Sequence, residues 1–153
     1  MGCWRICRRP GLTDQASLPR VDGDDLEWEG QLQTWNDEPF TGIEVWRFPN
    51  GAIESESTYK EGLRDGLSRT WDENGLLGSE FTCRLGTMHG NSKKWHANGQ
   101  LAEDGNYEWG VRIDEKEYNQ QGVLIDEFAI DPADPNSQYG ILLKFREVYD
   151  KHL

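Results

Sequence analysis

Trp71-Asp72-Glu73-Asn74-Gly75-Leu76-Leu77 is answered 24 residues later by Trp95-His96-Ala97-Asn98-Gly99-Gln100-Leu101, and that spacing decides the fold. Working outward, Asn50-Gly51 extends the register upstream. Ile53, Leu77 and Leu101 follow each glycine by two residues, and Tyr59, Cys83 and Tyr107 follow it by eight. Gly62, Gly86 and Gly110 form another column, and Gly42, Gly66 and Gly90 a further one that Asp114 continues. A degraded fourth copy, one residue shorter, carries Gln121-Gly122, Leu124, Glu127 and Ile130. Self-similarity at this period is the mark of a stacked repeat protein.

Each period reads as one β-hairpin. Asn-Gly suits the two positive-φ positions of a tight type I′ turn, and the flanking residues alternate. In Ile53-Glu54-Ser55-Glu56-Ser57-Thr58-Tyr59 the apolar ends fall on odd positions and the acid on an even one, which is period two rather than helical. One sheet face is therefore expected to be apolar and the other polar. The second turn, Lys60-Glu61-Gly62-Leu63-Arg64-Asp65-Gly66 and its copies, reads as a longer loop. The fold class is mainly β: a single-layer antiparallel meander of hairpins from Leu26 to Ile130.

These units resemble the MORN-type repeats (membrane occupation and recognition nexus), in the variant form found in YwqK-like bacterial antitoxins. The resemblance rests on the Trp71 and Trp95 segments quoted above, on the Gly-x-x-x-Gly columns, and on Trp35-Asn36-Asp37-Glu38-Pro39-Phe40-Thr41-Gly42, which looks like the opening of such repeat arrays. Departures are Trp46-Arg47-Phe48, Cys83 and Asp114. The resemblance implies an antitoxin or immunity-type protein that neutralises a cognate bacterial toxin by contact. Its second reading, behind that one, is a MORN-like scaffold that organises partners at a membrane, with the N-terminal cysteines lipidated.

Composition fits one small repeat domain. Of 153 residues only 35% are hydrophobic and mean hydropathy is −0.83, yet 7 Trp, 5 Tyr and 5 Phe suit a thin sheet with large flat contacts. No run approaches the ~18 apolar residues of a membrane span, and no secretory apolar core is present. Cys3, Cys7 and Cys83 make no disulfide framework and no zinc-finger spacing. A cytoplasmic protein is expected, with no cofactor and no metal.

Two flanks frame the repeat domain at 22–130. Residues 1–21 read as a flexible basic tail: four arginines against Asp14 give +3, leaving −15 of the chain's −12 for the remainder. Cys3 and Cys7 beside arginines are reminiscent of acylation sites, but Ile6 stands where a myristoylation pattern wants Ser or Thr. Residues 131–153 begin with Asp131-Pro132-Ala133-Asp134-Pro135, a break no central strand tolerates. A helix follows, capped by Asn136 or Ser137, with Tyr139, Leu142, Phe145 and Tyr149 at helical spacing. It is expected to pack over the last hairpin and cover the sheet edge.

Glu56, Glu80, Asp104 and Glu127 should share one face, one acid per hairpin and about 9.6 Å apart. At that distance like charges repel by only about 0.4 kcal/mol in water, so the column can stand without a counter-ion. With Trp71 and Trp95 as anchors, these six residues form the expected partner-binding set. The expected partner is a basic toxin that itself acts on nucleic acid, the acids standing in for phosphate; so acidic a chain repels nucleic acid and anionic membranes directly. His89, His96 and His152 sit in no nucleophile or metal pattern, so no enzyme is expected.

Overall fold

The computed structural model describes residues 17–152. Most of the expected tail, with Cys3 and Cys7, lies outside the described residues, as does the side chain of His152. In chain order the strands are β1 (Arg20–Asp22), β2 (Glu27–Glu29), β3 (Leu32–Trp35), β4 (Glu38–Pro39), β5 (Gly42–Arg47), β6 (Ile53–Lys60), β7 (Leu63–Trp71), β8 (Leu77–Arg84), β9 (Thr87–Trp95), β10 (Leu101–Glu108), β11 (Val111–Tyr118) and β12 (Leu124–Ala129). The helix α1 spans Tyr139–Tyr149. Strands β5 to β12 pair in sequence order, each antiparallel to the next, as the hairpin reading requires. No described helix is long and apolar enough to cross a membrane.

The two kinds of turn exchange roles relative to the sequence reading. At the Asn-Gly sites only the glycine has positive φ, and the hydrogen bonds Gly51 N–H to Phe48 O and Phe48 N–H to Ala52 O enclose three residues. This is a type I turn closed by a left-handed glycine. The same pair of bonds recurs at Asp72–Leu76, His96–Gln100 and Asn119–Val123. Local side chains hold it: the Asp72 carboxylate accepts the Asn74 and Leu76 amides at 2.9 Å each. The Leu76 amide is the main reason the Asp72 carboxyl titrates below the usual carboxylate range. A bulge one step further along each hairpin then restores the register that a two-residue turn would have set, so strand pairing is unchanged.

The tight two-residue turns are instead Glu61-Gly62, Leu85-Gly86 and Trp109-Gly110, where both residues have positive φ. Two bulky side chains are thereby held in the left-handed region, which costs about 1–2 kcal/mol each. Beyond these turns the ladder slips by a bulge at Gly66 and Gly90, and a Cβ on Gly90 would stand 2.4 Å from Thr82 Oγ1. In the next copy the bulge is smaller, which absorbs the one-residue deletion and lets Asp114 replace glycine.

Both ends of the expected meander differ from a plain continuation. Strands β2, β3 and β4 form a separate three-stranded sheet, because Asn36-Asp37 makes a tight positive-φ turn inside the span. This cap is tied to the repeats by Gln33 N–H to Gly62 O at 2.9 Å and Gly62 N–H to Phe40 O at 2.8 Å. The second bond repeats down the array as Gly86 to Arg64 and Gly110 to Met88, stitching each tight turn to the one before. Arg20 and Val21, expected in the tail, belong to β1, which pairs in parallel with the outer side of β5. Val21 is buried with Leu26, Phe40 and Tyr59 in the core under the cap.

The expected division into apolar and polar faces does not hold. The row Glu44, Ser57, Ser68, Phe81, Ser92, Gly105, Glu115 and Phe128 runs across the face that carries Tyr59 and Tyr107. Glu44 and Glu115 are buried there because the tyrosines donate to them, Tyr59 at 3.3 Å and Tyr107 at 3.1 Å. Burial first, and then the facing carboxylate, push both phenols above their ordinary value.

The helix docks at the third tight turn and not over the last hairpin. Arg146 donates twice to Glu108 at 2.6 Å, Tyr149 stacks on Trp109 with centroids 4.5 Å apart, and Leu142 is fully buried. Trp109 is only 2% exposed and also packs on the His89 ring, so His89 is a packing residue rather than a surface one. The cap position falls to Gln138, whose side chain makes no capping bond, and not to Asn136 or Ser137; one residue earlier, Ser137 Oγ accepts the Tyr139 amide at 3.4 Å. Every residue of β12 stays exposed.

Candidate partner-binding surface

The hairpin register places Glu56, Glu80, Asp104 and Glu127 in one row, as expected, but the row is not an acid column. The intervening strands supply a base to each gap, so that Glu56, Arg69, Glu80, Lys93, Asp104, Lys116 and Glu127 face one another in unbroken order. Arg69 Nε reaches Glu80 at 2.7 Å, Lys116 reaches Glu127 at 3.6 Å, Lys93 lies 4.0 Å from Asp104, and Arg20 pairs with Glu56 from β1. The two-strand gap in the expected picture is filled by these bases. The acids therefore present a neutral, alternating ladder in which opposite-charge neighbours contribute roughly 0.2–1 kcal/mol each. The signal was present in the sequence, since Arg69, Lys93 and Lys116 recur at nearly the same period as the acids.

Trp71 and Trp95 stand at equivalent places one hairpin apart, half-buried and opposite Leu77 and Leu101 at the closed ends of their hairpins. Each lies two residues beyond the ladder's base on its own strand, Arg69 on β7 and Lys93 on β9, so strand alternation sets both on the face that carries the acid row.

The chain's negative charge collects elsewhere. Residues 21–46 contain eight acids and no Lys or Arg. Asp24, Asp25, Glu27, Glu29, Asp37 and Glu38 are all exposed on the cap and its approach. Trp28 projects among them with 64% of its surface open, and Trp35 and Trp46 are also exposed. A shallow depression of about 250 Å³ is lined by Asp25, Glu27, Thr34, Asn36 and Asp37. A larger open trough of about 480 Å³ runs from Trp28 over Tyr59 and Arg64 to Leu85 and Thr87. Acids this close lie within a Debye length of about 8 Å at physiological salt, so their fields add at an approaching cation. The cap shares none of the repeat's columns and so leaves no periodic trace; its signal in the sequence is the base-free run at 21–46.

Stacked hairpins joined by stitched glycine turns define a β-hairpin repeat protein. Residues 40–61 and 88–108 match the family described as MORN repeat variant. These segments take in β5 and β6 and, further along, nearly all of β9 with β10. No curated protein matches the chain. Among solved structures it is similar, at 12% identity and a TM-score of 0.31, to the one titled "Crystal structure of GtfA/B complex bound to UDP and GlcNAc". The match covers 82% of this chain and spans 26% of that one.

Proposed function

We propose that this protein is a non-catalytic interaction module, and that it acts as an antitoxin or immunity-type binder of a basic toxin. The MORN repeat variant segments support a protein-binding scaffold, and the antitoxin assignment extends this by the resemblance of the repeats. One observation carries the choice of surface: the six exposed acids Asp24, Asp25, Glu27, Glu29, Asp37 and Glu38, in a stretch without Lys or Arg, on the cap and its approach with exposed Trp28. Such a surface attracts a basic cleft by long-range steering and offers aromatic rings as short-range anchors. A toxin that acts on nucleic acid has such a cleft, and cap carboxylates would occupy the phosphate positions.

The test starts with a partner captured from the source organism whose expression arrests growth. Co-expression of the parent protein should relieve the arrest. The cap variant Asp24→Asn, Asp25→Asn, Glu27→Gln and Glu29→Gln, still folded by circular dichroism, should associate at least tenfold more slowly at low salt. A partner that binds but never arrests growth would leave the interaction module and remove the antitoxin reading. Unchanged association of the cap variant would remove the cap as the surface.

A further inference from the structure

Strand β12 is the last of the sheet, and among the described residues no strand pairs with the main-chain groups of its outer side. Ile130 N–H donates to Ile113 O at 2.8 Å, which fixes the alternation along the pair. Asp126 and Phe128 turn their amides toward β11, so Glu127 and Ala129 turn theirs outward. The outward amide of Glu127 is held only from within its own strand, by Asp126 Oδ1 at 2.9 Å. Apolar side chains flank this row, Ile125 being 61% exposed and Leu124 and Phe128 exposed with it.

Charge on this edge is unbalanced on both faces. On one, Glu127 closes the alternating ladder with Lys116 on its inner side and, among the described residues, no strand beyond. On the other, Asp126 stands opposite Glu117, and Glu117 opposite Glu103, whose own base is Lys94 at 2.6 Å. Like charges directly opposite are destabilising, whereas the ladder inside the sheet sets a base between successive acids. The next strand is therefore asked for a base on each face, which means two consecutive basic residues. A second copy of β12 cannot supply them, because residues 123–131 contain no Lys or Arg.

We propose that β12 is a strand-addition site for an extended basic segment of a partner protein. The segment pairs its main chain with the outward groups of Glu127 and Ala129. It sets consecutive basic side chains beside Glu127 on one face and Asp126 on the other. This surface lies at the opposite end of the sheet from the cap, and the inference stands apart from the antitoxin reading.

The probe is a labelled nine-residue peptide of alternating valine and threonine around a central Lys-Arg pair, with a Glu-Glu peptide as control. Against the full chain, fluorescence anisotropy should show the basic peptide binding at least tenfold tighter, and hydrogen exchange should slow at Glu127 and Ala129. Ala129→Pro removes an outward amide that β11 does not use, without changing charge, and should weaken binding at least tenfold. Asp126→Lys with Glu127→Lys should do the same and covers the case in which the proline variant fails to fold. The cap variant described above should bind the peptide as the parent does. Equal binding of both peptides, undiminished binding by Ala129→Pro with its fold intact, or loss confined to the cap variant would overturn the site. So would a concentration-dependent dimer that Ala129→Pro dissolves, which would make the edge a self-association surface. A gain in peptide affinity on deleting residues 1–16 would likewise overturn it, by showing the chain's own arginines as the occupant.

Discussion

The interior repeats and the N-terminal cap handle charge in opposite ways. Along the ladder row of the repeats each acid faces a base across the strand, so a chain of net charge −12 builds a sheet in which that row is nearly neutral. Residues 21–46 hold eight acids and no Lys or Arg, and six of these acids stand exposed on the cap and its approach. The difference teaches that net charge alone does not locate a binding surface; what matters is the charge left over after cross-strand pairing. Charges in the repeats hold strands together, and charges in the cap are free to act on something else.

The sharpest way to break this comparison is to reverse Glu56, Glu80 and Asp104 to Lys together. At positions 80 and 104 the new lysine would stand between bases on both neighbouring strands, and at position 56 beside Arg69 and the Arg20 that now pairs with Glu56, so the summed cost should be about 2–4 kcal/mol. Thermal unfolding should show a fall of many degrees. A variant that melts with the parent would return the row to the status of a solvated face.

A smaller effect comes from the clamp at the far end. The Arg146 hydrogen bonds hold the Glu108 carboxyl below its usual range, so this group contributes stability above the unfolded carboxylate value of about 4.3 and loses it as pH falls through its lower folded value. Because the pair is partly open to solvent, about 0.5–1 kcal/mol is at stake. Glu108→Gln should remove that increment at pH 7 and flatten the acid limb of the stability curve, read by urea titration across pH.

Leu85 and Trp109 share a strained turn position, but only Trp109 gains burial from it. Leu85→Asn should therefore stabilise the protein by about 0.5 kcal/mol, since asparagine tolerates positive φ. Trp109→Asn should destabilise it, and urea midpoints decide between them. The least effect is expected in the cap. Neutralising Asp24, Asp25, Glu27 and Glu29 should leave stability within about 0.5 kcal/mol, because these exposed acids hold nothing together. A large loss in that variant would show that the cap's charge is structural.

Much of the fold could be read from spacing alone. The alternation in Ile53 to Tyr59 fixed strands and meander, because period two is a local property. Turn identity was less legible, since Asn-Gly serves both a two-residue loop and the left-handed closure of a three-residue loop; only the closing bonds at Phe48 and Ala52 distinguish them. Glu56 was placed correctly on its row, but its neighbour Arg69 is thirteen residues away and becomes adjacent only through the bulged register of β6 and β7. The parallel seat of β1 and the docking of α1 on Trp109 are non-local contacts with no periodic trace.

The alternating ladder also bears on how such an array can grow. Each 24-residue unit brings one acid on its first strand and one base on its second, together with a glycine turn that stitches to the turn before it. A gene segment of that length can be duplicated or lost without leaving a stray charge, a broken stitch or a shifted register in the units that remain. Such an array can therefore change its length by whole units without altering the terminal pieces, the acidic cap and the clamping helix.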